Sequence, residues 1–159
     1  MAQAQFNHVG VGVADIHAGV LFYQSVLDCR VISAPHEVSA DGEGGDEAVD
    51  VLKPPRFGRM MIAHLAMPND CGIELFQLID PPHEPRKPQL EYWKSGVFHF
   101  SITDSDINGR LRCLLDQGGK QLSKIWVNMP PDKKMVYCSD PWGTIIEIYT
   151  HDFVLMYAP

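Results

Sequence analysis

One internal repeat constrains this chain more than any property of its composition. The stretch His8-Val-Gly-Val-Gly-Val-Ala-Asp15-Ile16 returns 91 residues later as His99-Phe-Ser-Ile-Thr-Asp-Ser-Asp106-Ile107. In each copy a histidine starts an alternating run, the mark of a strand, and an Asp-Ile pair then opens a segment of helical period. Ile16, Val20, Tyr23 and Leu27 make the apolar stripe of the first helix, and Ile107, Leu111, Leu114 and Leu115 that of the second. Short oxygen-bearing side chains accept the free backbone N–H groups of a first helical turn. Asp15 is therefore the expected N-cap of one helix, and Asp104, Ser105 or Asp106 that of the other. Gly118-Gly119 ends the second helix, where glycine takes a left-handed conformation without strain.

Strand-like segments follow each helix, at about 29–36, 59–67 and 72–79 in the first half and about 120–127, 134–139 and 144–150 in the second. Each half reads β-α-β-β-β. The predicted class is α+β, with one tandem module at about 5–80, another at about 96–150 and a tail at 151–159. The linker at 81–95 follows Asp80 as Pro-Pro-His-Glu-Pro-Arg-Lys-Pro88, whose prolines suit neither a helix interior nor a sheet. His8 and Glu74 lie 66 residues apart, but His99 and Glu147 only 48. The segment 39–56, which contains Asp-Gly-Glu-Gly-Gly-Asp-Glu, absorbs nearly all of the 18 extra residues. It reads as an aperiodic surface loop, either a lid or binding element or a mobile excursion.

Side chains alternate across a strand, so faces can be assigned. Val9, Val11 and Val13 share the face that packs under the helix, leaving His8, Gly10 and Gly12 opposite; the two glycines are expected to leave that face open. In the strand expected from Val97, the residues Phe98, Phe100 and Ile102 take the helix face and His99, Ser101 and Thr103 the other. The last strand of each half repeats the pattern, with Glu74 and Phe76 set against Ile73 and Leu75, and Glu147 and Tyr149 against Ile146 and Ile148. Two histidines and two glutamates thus fall at equivalent places on the face away from the helix. A carboxylate inside Ile-Ile-Glu147-Ile-Tyr is costly to desolvate without a partner, and two carboxylates brought together repel. A divalent cation removes both problems, and this donor set suits Zn(II), Ni(II), Co(II), Mn(II) or Fe(II). His17, His36, His64, His83 and His151 have no counterpart in the repeat and are left out of the metal set.

Composition excludes other classes. The formal charge is −7 and the basic residues never cluster, which argues against nucleic acid and anionic membranes as partners. No apolar run approaches the roughly 20 residues that span a bilayer, and MAQAQFNHVG has neither the basic nor the apolar region expected of a signal peptide. Four scattered cysteines, Cys29, Cys71, Cys113 and Cys138, suit free and mostly buried thiols in a reducing compartment, so the expected location is cytoplasmic.

Asn7-His8-Val-Gly-Val-Gly-Val-Ala-Asp15-Ile16 with Phe22-Tyr23-Gln-Ser-Val-Leu27-Asp28 resembles the opening module of the vicinal oxygen chelate superfamily. Gly72-Ile-Glu74-Leu-Phe, Phe98-His99-Phe-Ser-Ile and Asp140-Pro-Trp-Gly143-Thr-Ile-Ile-Glu147-Ile resemble its other ligand-bearing strands. That superfamily includes glyoxalase I, methylmalonyl-CoA epimerase, extradiol dioxygenases and fosfomycin or bleomycin resistance proteins. The resemblance implies two βαβββ modules forming cupped mixed sheets around a metal cavity, with two coordination positions left for vicinal oxygens of a small-molecule substrate. By position, His8, Glu74, His99 and Glu147 match the four-ligand set of the glyoxalase I and epimerase branches. A fourth, anionic ligand favours Lewis-acid chemistry over oxygen chemistry.

The function implied is a metal-dependent isomerase, epimerase or lyase. It would act on a small carbonyl or thioester substrate by proton transfer through a metal-stabilised enediolate, with Glu147 the first choice of base and Glu74 the second. Phe76, Trp126, Trp142 and Tyr149 are candidates for an apolar substrate wall, and the apolar tail Phe153-Val-Leu-Met-Tyr157 for covering a sheet edge, a subunit seam or part of the core. The expected assembly is a homodimer, and the linker suits modules paired within one chain or across the dimer. One alternative is an Fe(II) dioxygenase using His8, His99 and Glu147 with Glu74 beside them. Another is a non-catalytic drug or natural-product binder. After Glu74 the chain runs Leu-Phe-Gln-Leu-Ile-Asp-Pro-Pro, which departs from glyoxalase I and leaves the substrate open.

Overall fold

The computed structural model describes residues 3–52, 57–86, 90–128 and 132–157. The chain divides into two compact units, Met1–Pro85 and Arg86–Pro159, each carrying one copy of the repeat. The boundary falls inside the proline-rich linker, of which 87–89 lie outside the described residues.

The first unit comprises β1 (His8–Gly12), α1 (Ile16–Leu27), β2 (Arg30–Ser39), α2 (Gly45–Val51), β3 (Arg59–Ala66) and β4 (Gly72–Asp80). Its strands lie in the order β1-β4-β3-β2, with β1 parallel to β4 and the other pairs antiparallel. Asp15 caps α1 as expected, its Oδ1 accepting from the backbone N–H groups of His17 and Ala18 at 2.9 and 3.0 Å. The stripe Ile16, Val20, Tyr23 and Leu27 is buried, as are Val11, Val13, Ile73 and Leu75 on the strands. Each such side chain contributes about 1.5–3 kcal/mol of burial. Gly19 allows the helix to approach this closely, since a Cβ there would lie 3.2 Å from both Val13 methyl groups.

Sequence periodicity missed α2, which lies in the segment read as a loop at 39–56. Gly44 precedes it in a left-handed conformation, Asp46 and Glu47 complement the helix dipole in its first turn, and Ala48 is buried. Ala48 packs with Phe57 and Met60, bordered by Val38, Leu52, Phe76 and Leu78. Residues 53–56 of that segment lie outside the described residues. The expectation of an open glycine face is also corrected. A Cβ on Gly10 would lie 3.3 Å from the Phe76 ring, and one on Gly12 would lie 3.9 Å from His83 Cε1, so those rings fill the space.

The second unit repeats the scheme with β5 (Phe100–Thr103), α3 (Ile107–Asp116), β6 (Lys120–Gln121), β7 (Trp126–Asn128), β8 (Lys133–Ser139), β9 (Ile145–Tyr149) and α4 (Phe153–Tyr157). The order is β5-β9-β8-β6, β7 also pairs with β8, and β5 is parallel to β9. Both units are mixed sheets in an α+β chain of two tandem βαβββ modules, with four helices among the described residues. The single strand expected at 120–127 is broken in two. Ser123 Oγ accepts the Tyr137 backbone N–H at 3.0 Å, while the Tyr137 carbonyl accepts from Leu122 and Ser123, so a side chain stands in for one rung of the ladder. Asp106 is the N-cap of α3, accepting from Gly109 N–H at 3.0 Å, and Gly118 has φ 86° just past its end. Leu115, assigned to the apolar stripe, is 42% exposed. The strand expected from Val97 begins only at Phe100, which pairs with Ile146. The tail forms α4, with Met156 buried and Phe153, Val154, Leu155 and Tyr157 exposed. Among the described residues no helix is long and apolar enough to cross a membrane.

Two of the four thiols are fully buried and two half-buried, fewer buried than the sequence suggested. Burial pushes Cys29 from the ordinary 9.0 up to about 11, with Asp28 adding to the rise, and pushes Cys138 up to about 12. Unfolded thiols ionise first as pH rises, so the unfolded chain then holds fewer protons than the folded one. The stability contributed by these two thiols is therefore fully present below about pH 8.5 and is lost as pH climbs toward the folded values. Urea unfolding across that range should show the decline, and Cys29→Ala with Cys138→Ala should make it shallower.

Candidate functional site

Strand register explains how each unit assembles its polar group. In the first, Glu74 sits between Gly10 on β1 and His64 on β3. One carboxylate oxygen, Oε2, lies 3.5 Å from His8 Nε2, and the other, Oε1, lies 3.1 Å from His64 Nε2. The Glu74 side chain is 26% exposed. His8 is steadied from behind by Asn7, whose Oδ1 is 2.7 Å from the imidazole Nδ1. The His64 ring stacks on His36 with centroids 6.3 Å apart.

In the second unit Glu147 occupies the same place, between Ser101 on β5 and Tyr137 on β8. Its Oε2 accepts from Ser101 Oγ at 2.8 Å and lies 3.1 Å from His99 Nε2. Glu147 is buried, and its Oε1 has no hydrogen-bond partner among the described residues. The Tyr137 ring meets His99 edge-on at 5.4 Å. Burial, and then the adjacent Glu147 carboxylate, pushes the Tyr137 hydroxyl above the usual tyrosine range. Burial does the same for Tyr149, helped by its contact with Tyr157, whose hydroxyl lies 2.7 Å away.

The four residues singled out from sequence therefore stand as two imidazole–carboxylate pairs, one per unit. Among the described residues no three His, Cys, Asp or Glu side chains are gathered as a metal cluster. The donor chemistry nevertheless fits a divalent ion. Each unit offers an imidazole and a carboxylate, acceptable ligands, and in the second unit an anionic oxygen buried without a partner, Glu147 Oε1, is what a cation would satisfy.

The aromatic candidates are dispersed. Phe76 and Tyr149 occupy matching positions two residues beyond the glutamates. Trp126 pairs with Met135, which pairs with Tyr149, and its half-exposed ring lies 3.9 Å beneath Lys124 Nζ. Trp142 lies in the turn between β8 and β9, at the other end of β9 from Tyr149, with its backbone N–H bonded to Asp140.

Sequence reasoning passed over His64, Ser101 and Tyr137. A signal existed: His64 and Tyr137 each stand ten residues ahead of their glutamate, so the repeat extends to a third position. Ser101 lies two residues after His99 on the same face, where the first unit has Gly10.

Residues 5–148 match the family described as Glyoxalase/Bleomycin resistance protein/Dioxygenase superfamily. Comparison with curated proteins finds no match. Among solved structures, a glyoxalase family protein from Bacillus cereus is 17% identical with a TM-score of 0.74, over 94% of this chain and 95% of its own. Glyoxalase I from Zea mays is 16% identical with a TM-score of 0.62 over 92% of this chain, which spans only 44% of the maize chain. A fosfomycin resistance protein from Listeria monocytogenes, solved as a mutant with Mn(II) and 1S,2S-dihydroxypropylphosphonic acid, is 9% identical with a TM-score of 0.62, over 99% and 98%. At such identities the likeness establishes the fold.

Proposed function

This chain belongs to the Glyoxalase/Bleomycin resistance protein/Dioxygenase superfamily, and from that premise we propose that it is a divalent-metal-dependent isomerase, epimerase or lyase. The substrate class is a small carbonyl or thioester compound that exchanges a proton between adjacent carbons. The observation that carries this reading is the repeated pair: His8 against Glu74 at 3.5 Å and His99 against Glu147 at 3.1 Å, at matching positions of two modules. These four residues would hold the ion, which when bound acts as a Lewis acid toward a substrate oxygen. The Listeria protein's Mn(II) supports a divalent ion in this fold. We assign proton transfer to Glu147, because Ser101 and His99 fix its Oε2 while no hydrogen bond ties Oε1, the oxygen that could then leave the ion to take up a substrate proton. Glu74 has an imidazole at each oxygen and is the weaker candidate for a mobile proton. Phe76 and Tyr149, flanking the two glutamates, offer apolar faces for the substrate body. A soluble homodimer in the cytoplasm is the setting we propose.

The test begins with the metal content of protein purified without added metal. Roughly one ion per chain is expected in wild type, and none in His99→Ala; equal content in both overturns the ligand assignment. A screen of 2-oxo thiohemiacetals and acyl-CoA thioesters in D₂O should then reveal deuterium entering the carbon beside the carbonyl. Metal-loaded protein that exchanges none of them argues against proton-transfer chemistry.

A further inference from the structure

We infer that His64 is a positioning residue of the metal centre, fixing Glu74 so that a single carboxylate oxygen is presented beside His8. The inference rests on the metal reading above and deepens it. Its geometry lies wholly within the first unit. His64 faces Glu74 directly across the β3–β4 hairpin, and its Nε2 lies 3.1 Å from Oε1. The other oxygen, Oε2, is the one beside His8 Nε2.

A glutamate side chain has three rotatable bonds, and holding it in one orientation for a ligand costs entropy. A donor that engages one oxygen beforehand removes part of that cost and selects which oxygen faces the ion. Phe76 narrows the choice further, because its ring lies against Gly10, the residue on the other side of Glu74 in the sheet. Glu74 is thereby bounded by a ring on one side and an imidazole on the other.

The second unit supports the inference independently. The position equivalent to His64 is Tyr137, again directly across from its glutamate and again ten residues ahead of it. There the restraint comes from Ser101, which bonds Oε2, and from Tyr137, whose ring meets His99 edge-on and whose hydroxyl adjoins Glu147. Both units thus place a hydrogen-bonding side chain on the strand beside the glutamate. That side chain differs in kind between them: an imidazole holds the half-exposed carboxylate and a phenol adjoins the buried one.

The experiment compares wild type, His64→Leu, His64→Gln and His8→Ala by Co(II) titration calorimetry together with the visible absorption of bound Co(II). The His64 side chain is 40% exposed, so its replacement should leave the fold intact, checked by circular dichroism. His64→Leu should weaken Co(II) binding about 10- to 100-fold, the usual effect of losing a partner that orients a ligand. The absorption bands should stay where they are in wild type. His64→Gln, which can still donate to Glu74, should recover most of the affinity. Wild-type affinity in His64→Leu overturns the inference alone. Bands displaced in His64→Leu as they are in His8→Ala overturn it by making His64 a ligand. Wild-type protein that takes up no Co(II) overturns the metal reading and this inference with it.

Discussion

Replacing Glu147 by glutamine is expected to stabilise the metal-free protein while destroying its affinity for metal. Glu147 is 2% exposed; its Oε2 meets Ser101 Oγ at 2.8 Å and His99 Nε2 at 3.1 Å, and the hydroxyls of Tyr137 and Tyr149 adjoin the carboxylate. The other oxygen is buried with no hydrogen-bond partner among the described residues. A buried acceptor left unpaired costs about 1–3 kcal/mol, and more when it carries charge. Glutamine keeps the length and shape of the side chain, still accepts from Ser101 through its oxygen, removes the charge, and puts an amide NH2 where the adjoining Tyr137 and Tyr149 hydroxyl oxygens can accept from it. Urea unfolding of metal-free protein should therefore show a gain of about 1–3 kcal/mol. Metal affinity should fall by more than the roughly 100-fold that loss of an orienting partner can cause, because a ligand itself is altered. The opposite signs are the diagnostic feature. A glutamine variant that is less stable without metal, and that binds metal as wild type does, would make Glu147 a structural residue whose charge is compensated inside the second unit.

Much of this arrangement was legible in the sequence because strands and helices impose local periods. The alternation around His8 and Glu74 assigned the helix-facing side correctly at Val11, Val13, Ile73 and Leu75, which are buried, whereas Phe98, Phe100 and Ile102 beside His99 are only half-buried and every residue of β9 is buried on either face. The capping role of Asp15 is local chemistry and was equally readable. What escaped depends on contacts between distant segments. The helix α2 is seven residues long in a glycine-rich acidic stretch, and its support comes from Ala48 packing on Phe57 and Met60. No local pattern announces that. His64 escaped for a related reason, since its partnership with Glu74 follows from the register of the β3–β4 hairpin, which periodicity does not fix. The break between β6 and β7 turns on the Ser123 hydroxyl taking a backbone donor, again a cross-strand event. The glycines at positions 10 and 12 signalled space, but only the structure identifies the Phe76 and His83 rings that use it.

Glu74 should respond differently from Glu147 although both belong to the proposed ligand set. Its side chain is 26% exposed and lies between two imidazoles, at 3.1 Å from His64 and 3.5 Å from His8. Pairs this open to water contribute only about 0–1 kcal/mol, so Glu74→Ala should leave unfolding free energy within about 1 kcal/mol of wild type. Metal affinity, by contrast, should drop by more than about 100-fold if Glu74 is a ligand, exceeding the 10- to 100-fold loss typical of an outer partner. The comparison also separates branches of the superfamily. A three-residue centre of His8, His99 and Glu147, the arrangement suited to oxygen chemistry, would keep its ion in Glu74→Ala and lose it in Glu147→Gln. A four-residue centre loses it in both. Fe(II) and Co(II) titrations of the two variants, run beside deuterium exchange in wild type, therefore decide between proton transfer and oxygen chemistry before the substrate is identified. Retention of Fe(II) in Glu74→Ala, with no deuterium exchange in wild type, would turn the assignment toward a dioxygenase.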